Sequence, residues 1–203
     1  MGLLIVLSSP SGGGKTTIVR ELVLKNRDFR RSISYTTRTK RTLEQNKIDY
    51  CFVSVKRFRD LVKKGFFIEW ASVHGDLYGT SRKAVIDARK QRKDTFFAID
   101  VKGGLNIKRL FPDAVLIFLA PPTYFELKNR LMKRKREDER AICLRLSRAL
   151  FEFRKAYKYD YWVVNRSISK TVQTIENIIA TEKQKIKNHK KEIDKLIKQL
   201  SHR

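Results

Sequence analysis

The 203-residue chain carries 46 Lys+Arg against 21 Asp+Glu, a formal net charge of +25, and 41% of its residues are apolar, enough for one sizeable core but not for two independent ones. No apolar run approaches the roughly 18 residues of a membrane span, and Leu3–Leu7 is too short for a signal-peptide core, so a cytoplasmic protein without a membrane partner is expected. Cys51 and Cys143 lack metal-ligand spacing and read as free thiols, while the positive charge calls for anionic partners without choosing among nucleotides, nucleic acid and acidic surfaces.

The first predicted element is a strand over Leu3–Leu7, followed directly by SSPSGGGKTT and a helix over Thr16–Lys25. Strand, glycine loop and helix form the context of a phosphate-binding loop. Ser9 stands where that motif has its first glycine. The donors that curl around phosphates come from the later residues, however, and Gly12, Gly13 and Gly14 keep that stretch free of Cβ atoms. Pro10, Ser11, Gly12, Gly13, Gly14, Lys15, Thr16 and Thr17 are therefore the expected ATP-binding loop. Lys15 is expected to reach the β- and γ-phosphates, and the Thr16 hydroxyl to ligate Mg2+.

Residues 32–84 interrupt the strand–helix alternation with short strand-like pieces at Asp49–Val53 and Phe66–Ala71 around a helix over Val55–Lys64, stopped by Gly65. Alternation resumes with strands at Thr95–Ile99, Ala114–Leu119 and Tyr161–Val164, which makes the chain an α/β protein with a parallel sheet flanked by helices. Residues 130–145 are too charged to be buried and are expected as an exposed flap. At the C-terminus Val172, Ile179, Ile186, Ile193 and Leu200 recur every seven residues, but the other seam position holds Ile175, Glu182, His189 and Leu196. Half that seam is polar, so a basic surface helix continuing from the last core helix is expected, with weak self-association as the alternative.

The phosphate loop, SISYTTRTKR, IDY, FIEWA, LYGTS and IDVKGG together resemble guanylate kinase, from about Leu3 to Ile179. The resemblance implies a P-loop NTPase fold with an inserted GMP-binding subdomain and a mobile lid. It also implies the transfer of the γ-phosphoryl group of ATP to GMP, and by extension to dGMP, in purine metabolism. The domain organisation that follows is a core of residues 1–31 and 85–180, a GMP-binding subdomain of 32–84, a lid at about 122–145 and a basic extension of 181–203.

The resemblance also assigns roles. Arg38 and Arg41, with the hydroxyls of Tyr50 and Tyr78, match the clamp on the GMP phosphate, for which planar guanidinium forks are suited. Glu69, Ser34, Thr80 and Asp100 match the positions that read guanine, whose N1–H and 2-amino donors a single carboxylate can accept together. Arg134 and Arg145 match lid arginines that close over the ATP phosphates, and Asn165 matches a position near the adenine. Lys15, Arg38, Arg134 and Arg145 form the catalytic set.

Three positions depart from the family pattern. Ala98 stands where an acidic residue is frequent, Lys135-Arg136 replace Gly-Thr in the lid, and Arg166 follows Asn165 where aspartate is common. Two rivals share parts of the pattern: a ribose 1,5-bisphosphate kinase, which has no guanine to read, and a non-catalytic guanylate-kinase-like binding module, which typically lacks the phosphate loop retained here. Residues 181–203 account for only +5 of the charge, so most of the excess lies on the body, where weak, nonspecific nucleic-acid binding is a further expectation. A monomer and a homodimer are equally compatible with the sequence.

Overall fold

The computed structural model describes residues 2–73, 75–91, 93–132 and 139–201. In chain order its elements are β1 (Leu4–Ser8), α1 (Lys15–Lys25), β2 (Phe29–Arg31), β3 (Tyr35–Thr36), β4 (Cys51–Phe52), α2 (Val55–Lys63), β5 (Phe67–Val73), β6 (Asp76–Ser81) and α3 (Arg82–Lys90). There follow β7 (Asp94–Ala98), α4 (Val101–Leu110), β8 (Val115–Ala120), α5 (Tyr124–Met132), α6 (Glu139–Lys155), β9 (Tyr161–Val164), α7 (Ile168–Lys183) and α8 (Lys190–Ser201), with short 3-10 turns at Ala156–Lys158 and Ile186–Asn188.

β1, β2, β7, β8 and β9 form one parallel sheet in the order β2-β7-β1-β8-β9. Every residue of β1 and β8 is buried, as a parallel sheet covered on both faces requires. Side chains alternate along β1. Ile5 and Leu7 pack with Ile18, Val19 and Leu22 of α1 and with Val172, Ile175 and Ile179 of α7. Leu4 and Val6 pack on the other side with Val85 and Ala88 of α3 and Ile107 of α4. This sandwich fixes the C-terminal ends of β1 and β7, where the glycine loop and Asp100 emerge. Among the described residues, no helix is long and apolar enough to cross a membrane.

The inserted segment forms a second sheet in the order β4-β3-β6-β5. Two of its strands, β3 and β6, go beyond the sequence expectation, as does β2 in the main sheet. All three are short or rich in polar residues, so apolar periodicity carried little signal. α2 is capped by the Ser54 hydroxyl, which accepts from the Arg57 amide, and ends before Gly65 at φ 62°.

A bulge in β5 decides which way this sheet works. Phe67 pairs with Ser81 but Glu69 pairs with Thr80, so Ile68 is an extra residue. Without it Phe67 and Glu69 would share a face. With it, Phe67 stacks on Phe58 of α2, ring centroids 4.5 Å apart, while Glu69 turns to α4 on the other face.

The C-terminal region differs from the expected continuous helix. Glu182, a polar seam position, is buried and accepts bonds from the Tyr161 hydroxyl and the Lys185 ammonium, both at 2.5 Å, which helps to push the Tyr161 hydroxyl up to about 12. The Asn188 amide donates to the Glu182 carbonyl at 2.7 Å, and α7 stops at Lys183. These bonds satisfy the last turn of α7 and redirect the chain into α8, none of whose residues is buried.

Candidate active site

The donor side is built where β1 runs into α1. Gly12 and Gly14 adopt φ 87° and 94°, and Gly14 caps the helix. L-residues rarely adopt such angles, so the loop needs glycine at both positions. Ser9 is fully buried, and its hydroxyl donates to the Pro10 carbonyl at 2.9 Å. A Cβ on Gly13 would lie 2.5 Å from the Ser9 hydroxyl, so Ser9 occupies room that Gly13 leaves open. The substitution at the head of the loop is therefore accommodated within the loop itself. Lys15 donates from its ammonium to the Ser9 carbonyl at 2.8 Å and the Ser9 hydroxyl at 3.2 Å. Thr16 and Thr17 are exposed in the first turn of α1.

Asn165 braces this loop from behind. Its buried amide donates to the Gly13 carbonyl at 3.0 Å and accepts from the Thr171 hydroxyl at 3.1 Å. A Cβ on Gly14 would lie 2.6 Å from the same amide nitrogen. The side chain expected near the adenine thus divides its hydrogen bonds between the phosphate loop and α7. Arg130 of α5 reinforces the brace by donating to the Asn165 carbonyl at 3.0 Å while its Nε holds Glu126 at 2.8 Å.

Two residues of α6, two turns apart, reach the loop at Ser11. Arg145 donates to the Ser11 hydroxyl at 3.3 Å, and the Glu152 carboxylate accepts from the Ser11 amide. Burial pushes Glu152 up to about 7; Lys15, the Ser11 amide and Arg148 oppose that rise, and Asp100 adds to it. Glu152 escaped the sequence reading because a lone glutamate in so charged a segment looks solvated. Arg134 and Lys135-Arg136 lie outside the described residues.

Residues expected to read guanine lie on the inner face of the second sheet. Glu69 and Thr80 are buried cross-strand partners, and the Thr80 hydroxyl donates to Glu69 Oε1 at 2.5 Å. Burial pushes the Glu69 carboxyl up to about 7, with the Thr80 hydroxyl working against the rise and Asp100 adding to it. A Cβ on Gly103 of α4 would lie 2.6 Å from Glu69 Oε2, so a larger residue there would have to displace the carboxylate. Asp100 caps α4 by accepting from the Gly103 amide at 2.9 Å, and its carbonyl accepts from the Ser8 hydroxyl at 3.2 Å. It therefore stands between the glycine loop and the second sheet. Ser34 is buried just before β3, and its carbonyl accepts from the Cys51 amide.

Arg38 is held by a residue the sequence reading did not single out. Its Nη2 donates to both oxygens of Glu44, at 2.7 and 2.9 Å, and Nη1 to the Thr39 carbonyl at 2.7 Å. Glu44 also accepts from the Arg41 amide at 2.9 Å. Burial opposes ionisation of Glu44, but the Arg38 fork and the Arg41 amide hold its carboxyl below the ordinary value. The Arg38 guanidinium lies 5.5 Å from the Tyr50 ring centroid, which is edge-on to Tyr78 at 6.0 Å. The Tyr78 hydroxyl is raised by burial and faces Arg38, whereas the Arg41 side chain is exposed. Of the expected site residues that are described, the structure gathers Lys15, Arg145 and Asn165 on the glycine loop, Tyr78, Glu69 and Thr80 on the second sheet and Arg38 and Tyr50 in the loops beside it, with Asp100 between.

The chain matches the family model "Guanylate kinase" over residues 1–182. It is 38% identical over 189 residues to guanylate kinase of Clostridioides difficile (strain 630), covering 93% of this chain and 92% of that protein. It is 37% identical over 194 residues to guanylate kinase of Thermotoga maritima, covering 96% and 94%. The crystal structure of guanylate kinase from Anaplasma phagocytophilum superposes with a TM-score of 0.75 at 32% identity, covering 91% of this chain and 87% of that one.

Proposed function

The chain belongs to the guanylate kinase family and is an ATP:GMP phosphotransferase that yields ADP and GDP; we propose that it works through the two facing arms described above, with the buried Glu69–Thr80 pair selecting guanine. That pair carries the reading. An ionised carboxylate on the inner face accepts from guanine N1–H and the 2-amino group, whereas adenine would leave it desolvated and unpaired. Sites of this kind reject the wrong partner by about 10⁴-fold. Ser34 and Asp100 complete the base contacts, and neither rival reading has a use for the pair.

Arg38, Arg41, Tyr50 and Tyr78 hold the GMP phosphate with one oxygen free to attack. No general base is needed, because a phosphate monoester oxygen is already anionic near neutral pH. On the donor side the loop amides from Gly12 to Thr17 and the N-terminus of α1 cradle the ATP phosphates. Lys15 exchanges its bonds to Ser9 for phosphate oxygens. Arg145 and Arg134 add charge as the γ-phosphoryl moves, and Asn165 acts by shaping the loop. The exposed Thr16 hydroxyl makes no hydrogen bond among the described residues and suits Mg2+, which binds through few protein ligands and substrate phosphates. When bound, Mg2+ supplies charge neutralisation between the phosphates. Ala98 offers it no carboxylate. We place the core at 1–31 and 85–180, the GMP-binding subdomain at 32–84, the lid at about 122–145 and the tail at 181–203, and the enzyme in the cytoplasm.

The decisive measurement is ADP formation from Mg-ATP with GMP, AMP, UMP or ribose 1,5-bisphosphate as acceptor. Turnover is expected with GMP alone. Lys15→Ala should lower kcat by about 10³-fold while GMP binding persists. Equal turnover with AMP would overturn the role of Glu69.

A further inference from the structure

The outer face of the second sheet carries a feature that phosphoryl transfer does not use. Side chains alternate along paired strands, so Glu69 and Thr80 face the inner side while the Trp70–Gly79 and Ser72–Leu77 pairs face away. On that outer side Arg59, Val62, Lys63, Trp70 and Leu77 line a cavity of about 320 Å³. Arg59, Val62 and Lys63 lie on one face of α2 by their spacing. Trp70 is 49% exposed, and its ring is steadied edge-on by Phe58 at 6.5 Å. No cation among the described residues lies over the indole.

The charge around this cavity is equally one-sided. α2 and its C-cap expose Lys56, Arg57, Arg59, Lys63 and Lys64, with Asp60 as the one acid of the helix. None of the five cations forms an ion pair with a described residue. Elsewhere cations such as Arg31, Arg38, Arg89 and Lys108 are matched by carboxylates. An exposed indole lining an apolar hollow, beside unmatched positive charge, fits a polyanion that also offers flat rings.

The geometry points to a binding surface for single-stranded nucleic acid on the outer face of the second sheet, with one base stacked on Trp70 and the flanking phosphates held by Arg59, Lys63 and their neighbours on α2. A duplex is excluded by the same geometry, because its base faces are hidden in the stack. An acidic peptide satisfies the charge but leaves the indole unfilled. The contacts expected are a π-face and phosphates, both sequence-tolerant, so no base preference is expected.

The test uses the full-length enzyme and a fluorescein-labelled 12-nucleotide uridine RNA, followed by anisotropy. About three phosphate contacts predict roughly 20-fold weaker binding when salt rises about fourfold. Trp70→Ala should weaken binding about tenfold, with Trp70→Phe restoring most of it. Arg59→Gln with Lys63→Gln should weaken binding and flatten the salt dependence. Guanylate kinase turnover should stay within about twofold in all three, since none of these residues belongs to the site. In a Trp162→Phe background the RNA should quench the remaining indole. Equal binding by the variants and the parent, by a duplex of equal length or by a poly-glutamate peptide would overturn the proposal, as would displacement by saturating GMP and ATP. Loss of binding on truncation after His189 would assign it to the tail instead.

Discussion

The acceptor and donor arms hold their charges in different ways. On the acceptor arm the key groups are already set within the protein: Arg38 is forked onto Glu44, and Glu69 is bonded by Thr80 in a buried cross-strand pair. On the donor arm the cradle is backbone, and its long side chains rest on neighbouring oxygens, Lys15 on Ser9 and Arg145 on Ser11 at 3.3 Å. Recognising a base requires donors and acceptors fixed in advance, because specificity comes from what a wrong base leaves unpaired. Transferring a phosphoryl group requires cations that follow moving charge, which long, flexible side chains can supply.

The sharpest way to break this contrast is Glu69→Gln, which removes the fixed acceptor charge and leaves its shape. kcat/KM for GMP should fall about 100-fold, while the KM for ATP moves less than about twofold. The same carboxyl, pushed up to about 7, should make the parent's GMP affinity fall as pH drops from 8 to 6, because only the ionised form accepts from guanine. The Gln variant should lose that dependence. Its folded pKa lies above the unfolded value, so stability falls as pH rises from about 4.5 to about 7 and the full penalty of ionised Glu69 is present above that. Glu69→Gln should therefore raise stability at pH 8 by on the order of 2 kcal/mol, measurable by denaturant titration. A GMP affinity that stays flat between pH 6 and 8 in the parent would break the assignment of that charge to the base.

Glu44→Gln sharpens the contrast by releasing one preset cation. Arg38 loses its fork, and the KM for GMP should rise about tenfold with kcat within about twofold. An unchanged KM would mean that Arg38 needs no internal partner.

The donor arm predicts a smaller change. Glu152→Gln keeps an acceptor for the Ser11 amide but removes the charge facing Lys15. The KM for ATP should shift by about threefold, and any ATP-side pH dependence near 7 should vanish while that of GMP persists. If the pH dependence of GMP changed instead, the two arms would not be separable. Smallest of all, truncation after His189 removes α8, which buries no residue, and should leave Tm within about 2 °C and kcat/KM within about twofold.

Some of this was legible without coordinates, because it rests on local rules. The strand–glycine–helix order announced the phosphate loop, since glycine readily adopts the positive φ found at Gly12 and Gly14. The alternation of apolar runs gave the parallel sheet, and the acceptor residues stood out through their resemblance to a family. Other features depended on contacts between segments far apart in the chain. Nothing near Asn165 in the sequence says that its amide holds Gly13, and nothing near Glu44 or Glu152 marks them among so many surface charges. The Ile68 bulge shows the reason most plainly. A single extra residue reverses the facing of everything before it, sending Phe67 into the core and Glu69 toward Gly103 of α4, and only pairing with β6 reveals that it is there. Local propensity thus determined the loop and the layers, while tertiary pairing decided which side chains share a face and which charges meet.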